Sequence, residues 1–375
     1  MKILHIITGL GNGGAEGMLY RVSKEHQKNY KNLDIDIVSL STNDWYSTHL
    51  NKIGIRVHKI DLKKNFLDIF KLIKLIRLLI ELKPDVIQTW MYHANLLGGV
   101  LGYLFTNAKI FWNIRHTNLN LGYSKISTIL IVHLSSLLSY FIPSKIIYCS
   151  PKSKKVHESK FYNKRKSIFI PNGYDDTFQP SIKHRKNFRK KNYISNSFFV
   201  VGLAARFHKE KNFKNLITAY EYFAKKNNNV LLYLKGKNVS YKNSILRSHL
   251  LGIPREKYKL NKNSTNIVEF MNGIDLFVLP SFSESFPNVL AEAMLCRTPC
   301  ISTDVGYAKN ILSKTGGIVV PQNNSYALFI AIQKSYKIFK NKKKWNIVQK
   351  KSREKVINHY NIKKISLRYF EVWNI

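Results

Sequence analysis

Apolar and polar positions along the chain fall into two alternating series. Short continuous apolar runs fit strands buried on both faces. They are separated by stretches with apolar residues three and four apart, which fit helices packed on one side. The first series holds KILHIIT (2–8), IDIVSL (35–40), DVIQTW (85–90), KIFWNI (109–114) and KIIYCS (145–150). The second holds SFFVVGLAARF (197–207), VLLYLKG (230–236), DLFVLPS (275–281), TPCISTD (298–304) and GGIVVP (316–321). This alternation predicts an α/β chain with two doubly wound parallel sheets. The polar, turn-rich stretch 171–197 marks the boundary between them. Ligands of such sheets bind at the carboxyl ends of the strands, so the site is expected where the two series face each other.

Two apolar stretches need separate treatment. Residues 64–82 form an amphipathic helix in which Lys64, Asp68, Lys71, Lys74, Arg77 and Glu81 line one face. That face either meets solvent or lies on anionic lipid. Residues 126–143 lack Asp, Glu, Lys and Arg and approach the roughly 20 residues that cross a bilayer. His133, five Ser or Thr residues and Pro143 make a buried or interfacial helix the better expectation.

At 375 residues the chain exceeds one typical core. Its formal charge of +39 draws it to polyanions: nucleic acid, anionic membrane or a phosphorylated substrate. The lysines are dispersed and form no concentrated basic stripe with interleaved aromatics, so no nucleic-acid partner is expected. Cys149, Cys296 and Cys300 form no paired motif, which fits a reduced cytoplasmic chain. The N-terminus has no signal-peptide cleavage site and reads as a first strand.

The segment TGLGNGGAE (8–16) fits G-x-G-x-x-G. A dinucleotide site also needs an acid at the exit of the second strand, about 20 residues on. That exit is Ser39 to Thr42; Asp34 and Asp36 stand at the entrance, and Asp44 lies in the loop. No nicotinamide or flavin cofactor is expected, and Asp34-x-Asp36 reads as a strand edge rather than a metal motif. The glycines can still open a helix N-terminus toward a phosphate or sugar.

The most informative stretch is SFSESFPNVLAEAMLCRTPCISTDVG (281–306). It predicts a helix from Pro287 to Leu295, with Pro287 at the first helical position. Glu284 falls in the loop after a strand and Glu292 in the helix. Backbone N–H groups near Asn288 and Val289 lie at the helix start, suited to an anion. A carboxylate in such a place can also be a plain helix cap.

The two glutamates in E-S-F-P-x-x-L-x-E-A-M, followed by P-x-I-x-T-D-V-G, resemble the signature of the large retaining glycosyltransferase family with the GT-B fold (family 4). GGAE (13–16), IPNGYD (170–175), GLAARFHKEKNF (202–213) and MNGIDLFVLPS (271–281) resemble its other segments. The resemblance covers nearly the whole chain. It implies two Rossmann-like domains facing a cleft, at 1–180 and 181–355. A C-terminal helix at 356–375 would pack back on the first domain.

The resemblance also implies roles. Arg206 and Lys211 would bind and stabilise the departing donor diphosphate, with Lys209 competing for the second place. Glu292 would hold the nucleotide ribose. Glu284 would face the transferred sugar beside the backbone of Ser285, Phe286, Pro287, Asn288 and Val289. Gly13 and Gly14 would contact the donor from the first domain. The segments QTWMYHANLLGG (88–99) and WNIRHTNLN (112–120) resemble bacterial transferases that build O-antigen or capsule units on polyprenyl diphosphate. By that analogy His116 would contact the donor sugar or transition state. His93, Tyr92, Asn95 and Arg115 would be weaker acceptor contacts.

Three positions depart from the family pattern: Arg297 replaces a usual Gly, Asn261 stands where a strand-end Gly is common, and Tyr307 sits in the D-V-G loop. The Arg297 change is expected to alter either the entry to the following strand or the sugar pocket. The expected reaction moves a hexose or N-acetylhexosamine from a UDP-sugar to a lipid-linked glycan, with retention and without a metal. The protein would act peripherally on the inner face of the cytoplasmic membrane, docked through helix 64–82 and the 126–143 region. The alternatives are a UDP-sugar epimerase or another GT-B enzyme and, remotely, a nucleic-acid-binding protein.

Overall fold

The computed structural model describes residues 1–42, 44–62, 68–119, 126–262 and 266–374. Contacts divide the chain into two compact units, Met1–Gly173 with Tyr360–Ile375, and Tyr174–His359.

The first unit runs β1 (Lys2–Ile7), α1 (Gly14–Asn29), β2 (Asp34–Ser39), α2 (Ser47–Asn51), β3 (Arg56–Lys59), α3 (Ile69–Leu82) and β4 (Val86–Trp90). It continues α4 (Tyr92–Phe105), β5 (Lys109–Ile114), α5 (Ile126–Leu138), β6 (Lys145–Tyr148), α6 (Pro151–Glu158) and β7 (Ser167–Phe169). All strands are parallel, in the order β3-β2-β1-β4-β5-β6-β7. Ile3 and Ile7 of β1 pack with α1 on one face, and Leu4 and Ile6 pack with α3 and α4 on the other. Both faces are covered, which is why the run KILHII does not alternate with polar residues.

The second unit runs α7 (Ile182–Lys191), β8 (Phe199–Ala204), α8 (Phe213–Lys225), β9 (Val230–Lys235), α9 (Ser244–His249), β10 (Tyr258–Asn261) and α10 (Ile267–Gly273). It continues β11 (Leu276–Leu279), α11 (Asn288–Leu295), β12 (Cys300–Thr303), α12 (Ala308–Leu312), β13 (Ile318–Val320), α13 (Ser325–Phe339) and α14 (Lys342–His359). Its six parallel strands are ordered β10-β9-β8-β11-β12-β13. The strands absent from the sequence expectation, β3, β7 and β10, all lie at sheet edges. Edge strands are short and partly polar, here RVHK, SIF and YKLN, so they carry little hydrophobic signal.

The final helix, α15 (Ile362–Trp373), belongs to the first unit. Ile362, Ile365, Tyr369 and Trp373 enter the core that α1 covers. A Cβ on Gly173 would lie 3.0 Å from the Ile362 Cα, so glycine permits the close approach of this helix. The Trp373 indole N–H donates to Gln88 at 3.0 Å. His26 Nε2 lies 2.9 Å from the Ser366 carbonyl. A carbonyl only accepts, so Nε2 carries the proton.

His26 and its neighbour His5 are fully buried in this core. Burial lowers the His26 pKa to about 4 and that of His5 to about 3, the charge of His26 adding to the effect on His5. Their stabilising preference for the neutral form is fully kept above pH ~6.5, the unfolded histidine value, and is lost as pH falls through the folded values. On the order of 3 kcal/mol from His26 alone is expected to disappear by pH ~4. Urea midpoints followed from pH 7 to 4 should fall steeply in wild type and more gently in His26→Gln. Equal slopes would count against this origin.

Asp34 and Asp36 are occupied within the sheet. Arg56 of β3 bridges Asp36 at 2.7 Å and Asp34 at 2.9 Å, and His58 lies 2.9 Å from Asp36. Burial alone would raise the Asp36 pKa; the hydrogen bonds from Arg56 and His58 outweigh it and hold the carboxyl well below the usual range.

The outward helices of the first unit are more apolar than the charge pattern implied. Lys64 lies outside the described residues. Asp68 caps α3, accepting from the Lys71 backbone N–H at 3.3 Å, and its carboxylate also pairs with the Lys71 ammonium at 3.5 Å. Lys71 donates to the Asp61 carbonyl at 2.8 Å. Phe70 is 81% exposed, and Ile69, Ile73 and Ile80 are also exposed on α3. Within 126–143 the described residues form a helix of 13 residues, α5, which is not wholly buried. It exposes Ile126, Leu130, Leu134 and Leu137 along one side, followed by Tyr140 and Phe141. α3 packs against α4 and α4 against α5. Among the described residues no helix is long and apolar enough to cross a membrane.

Candidate functional site

In the second unit the strand order reverses between β8 and β11, the usual ligand crevice of a doubly wound sheet. Arg206 leaves β8 and Glu284 leaves β11, so the fold brings both to that point. Arg206 is exposed, and its guanidinium makes no hydrogen bond or ion pair among the described residues. Lys211 ends a single 3₁₀ turn at Lys209–Lys211. Its ammonium pairs with Glu284 at 2.6 Å. Ser281 also donates to Glu284, at 2.9 Å. The Phe282 N–H donates to the Glu210 carbonyl at 2.8 Å, tying this loop to the turn. Lys209 is exposed, and it is Lys211 that meets Glu284, so geometry favours Lys211 of the two.

The loop after β12 supports this arrangement. Gly306 has φ +50, and a Cβ there would collide with the backbone carbonyls of Glu284 and Ser285. Tyr307 stacks on Phe286 with ring centroids 5.5 Å apart. The departure at Tyr307 is thus a lid on the Phe286 ring. Helix α11 starts at Asn288, with Pro287 as its N-cap at ψ 87 rather than its first helical residue. Pro287 has no N–H to offer a ligand; it shapes the loop. Asn288 Oδ1 accepts from the Tyr174 hydroxyl at 2.6 Å. Glu292, half-buried, lies one turn further on the same face as Asn288.

Arg297 is not part of a sugar pocket. It lies past the opposite end of α11, at φ +60. The Thr298 N–H donates to the Ala293 carbonyl and the Arg297 N–H to that of Met294, the Schellman pattern in which glycine is favoured at the left-handed position. Arg297→Gly is therefore expected to stabilise the fold by about 0.5–1 kcal/mol and leave activity unchanged. A lower melting temperature would show that the arginine side chain contributes more than its backbone strain.

In the first unit the strand order reverses between β1 and β4. Gly13 caps α1 with extended backbone. The α1 N-terminus does not stand open. The Glu16 carboxylate folds back over Gly13, where a Cβ would collide with it. Burial raises its pKa. An anion near Gly13 and Gly14 would therefore meet this carboxylate first. The sequence signal was present: Gly13-x-x-Glu16 has capping-box spacing with glycine in the cap.

His116 follows β5 and is half-exposed. Its carbonyl accepts from the Ser153 hydroxyl at 2.7 Å, and its ring meets the Tyr92 ring edge-on at 6.4 Å. His93, in the first turn of α4, is half-exposed, with its pKa lowered by burial.

Three residues expected at the acceptor turn inward instead. Tyr92 is buried, with its hydroxyl 2.7 Å from His157 Nε2. His157 Nδ1 faces the Ser153 carbonyl and so bears the proton, which makes Tyr92 the donor to Nε2. Asn95 is buried and its Oδ1 accepts from Thr89 at 2.7 Å. Arg115 donates to Asn113 at 3.0 Å, to Tyr369 at 2.5 Å and to Asn172, and lies over the Trp90 ring at 5.0 Å. It fastens α15 to β5.

Known proteins share this fold. The family described as glycosyl transferases group 1 matches residues 184–355. The capsular polysaccharide biosynthesis glycosyltransferase CapM of Staphylococcus aureus is 26% identical over 313 residues, covering 81% of this chain and 80% of its own. An Escherichia coli protein named UDP-Gal:alpha-D-GlcNAc-diphosphoundecaprenol alpha-1,3-galactosyltransferase is 23% identical over 305 residues, covering 79% and 77%. HepE of Anabaena, solved with UDP, superposes with a TM-score of 0.83 at 19% identity over 100% of both chains. The two parallel α/β units and these matches define a glycosyltransferase with the GT-B fold. Its residues 184–355 are a domain of the glycosyl transferases group 1 family.

Proposed function

We propose that the protein transfers a hexose or N-acetylhexosamine from a UDP-sugar to a polyprenyl-diphosphate-linked saccharide during surface-polysaccharide assembly, with retained configuration. The observation that carries this reading is the group at the β8–β11 reversal: Arg206, without an ion pair among the described residues, and the Lys211–Glu284 pair. Negative charge grows on the departing diphosphate in an oxocarbenium-like transition state, and fixed cations stabilise it there. Arg206 supplies one. Lys211 supplies the other when a sugar hydroxyl replaces it at Glu284. Glu292 holds the ribose, and the loop from Ser285 to Val289 lies beside the sugar. Gly13 and Gly14 of the first unit are further donor contacts, with the Glu16 carboxylate beside them. His116, held by Ser153, faces the reacting sugar, with His93 as a further acceptor contact. The similarity to the Escherichia coli diphosphoundecaprenol-directed galactosyltransferase and to CapM of Staphylococcus aureus supports the lipid diphosphate acceptor and the capsular setting.

The apolar stripe of α5, with exposed Lys74 and Arg77 on α3, suits peripheral docking on an anionic membrane. The test incubates the protein with UDP-galactose, UDP-glucose or UDP-N-acetylgalactosamine and a polyprenyl-diphosphate monosaccharide, reading products by mass. One sugar added to the lipid is expected. Turnover of UDP-sugar without acceptor would favour an epimerase instead. Flotation with anionic vesicles should recover wild type and leave Leu134→Lys behind; equal recovery would remove α5 from the docking surface.

A further inference from the structure

Lys235, the last residue of β9, is only 5% exposed. Its ammonium makes no hydrogen bond or ion pair among the described residues, and it feels Glu269 only through longer-range charge. Its aliphatic stem is buried, but its ammonium is not among the sealed, unpartnered polar atoms and so reaches the surface at the strand end. Its place does suggest a use. β9 ends beside β8 at the carboxyl edge of the sheet, where ligands bind. The chains are pressed together there: Gly236 has φ +142, and a Cβ on it would strike the Ala205 carbonyl and lie 3.2 Å from the Arg206 nitrogen. Lys235 and Arg206 therefore stand on adjacent strand ends.

The direction follows from strand alternation. Tyr233, two residues earlier on the same face, packs on Phe270 of α10 at 5.7 Å. α10 in turn contacts α11, which carries Glu292. Lys235 thus lies on the α10–α11 side of the sheet, across β8 from Glu284. The carboxylates sit on the β11 side, where they suit hydroxyls. The β9 side offers a cation and Asn261, its register partner on β10.

We infer that Lys235 reads the nucleobase of the donor, donating from its ammonium to a ring keto oxygen such as O4 of uracil. This rests on the reading that Tyr174–His359 holds a nucleoside diphosphate. Cytosine presents an amino group at the same place, a donor facing a donor, and is rejected. The base supplies an acceptor that the ammonium lacks among the described residues.

The experiment measures binding of UDP and CDP by calorimetry, and melting temperature, for the full chain and for Lys235→Met, Lys235→Gln and Arg206→Ala. Wild type should prefer UDP by roughly 10- to 100-fold. Lys235→Met should bring the two nucleotides to within about threefold while melting at or above the wild-type temperature. Lys235→Gln, whose amide can donate or accept, should also approach parity and covers the case in which the methionine variant fails to fold. Unchanged UDP preference in either folded variant overturns the inference. Arg206→Ala should weaken UDP and CDP alike. If wild type binds neither nucleotide and Arg206→Ala changes nothing, the donor-site reading itself falls, and this inference with it.

Discussion

Replacing Arg206 with alanine is expected to slow sugar transfer by about 10²–10³-fold while leaving the melting temperature unchanged. The two halves of that expectation have separate causes. The guanidinium is exposed and has no partner among the described residues, so its removal takes no contact from the folded chain. It stands at the end of β8, beside β11, where the sheet reverses, so a departing diphosphate loses one fixed positive charge. Lys211→Ala should behave differently. It also removes the 2.6 Å partner of Glu284, leaving that carboxylate with Ser281 alone. Donor binding should then weaken together with turnover. Steady-state rates on the accepted UDP-sugar, alongside melting curves, separate the two variants. Full activity in Arg206→Ala would remove it from the site.

Gly306→Ala is the second large effect, and its origin is steric. The left-handed backbone alone costs a β-substituted residue roughly 1–2 kcal/mol. The added Cβ also meets two backbone carbonyls, those of Glu284 and Ser285, and neither can swing aside as a side chain would. The loop carrying Glu284 must move. A displacement of about 1 Å at a reacting centre lowers rate by about 10²-fold. The change should appear in transfer rate and in UDP binding, with the pH-dependent unfolding of the His5–His26 core untouched. Normal turnover in a folded Gly306→Ala protein would mean that the Glu284 loop is not where the sugar lies.

The legibility of these features differed for physical reasons. The central strands were plain because parallel strands buried on both faces must be apolar throughout, as in KILHII and VLLYLK. Strands β3, β7 and β10 were missed because RVHK, SIF and YKLN are short and partly polar, whereas the edge strand β13 kept the apolar run IVV. Spacing placed Glu284 in a loop and Glu292 on a helix. It could not show that Glu284 meets Lys211, which lies 73 residues earlier. Tyr92, Asn95 and Arg115 carried polar groups suited to a ligand, yet all three face inward. A polar side chain just past a strand end can satisfy the core or a substrate, and only its neighbours decide which.

The sequence by itself determined two parallel α/β sheets, the loop and helix that carry the glutamates, and the cationic segment after β8. These rest on local periodicity and short motifs, which need no distant partner. Tertiary structure alone decided that α15 completes the first core, that Glu16 covers the α1 N-terminus, and that Arg297 terminates a helix. It also decided that the buried stem of Lys235 brings its ammonium to the strand end next to that of Arg206. Each depends on residues far apart in the chain, or on a backbone angle that composition does not encode.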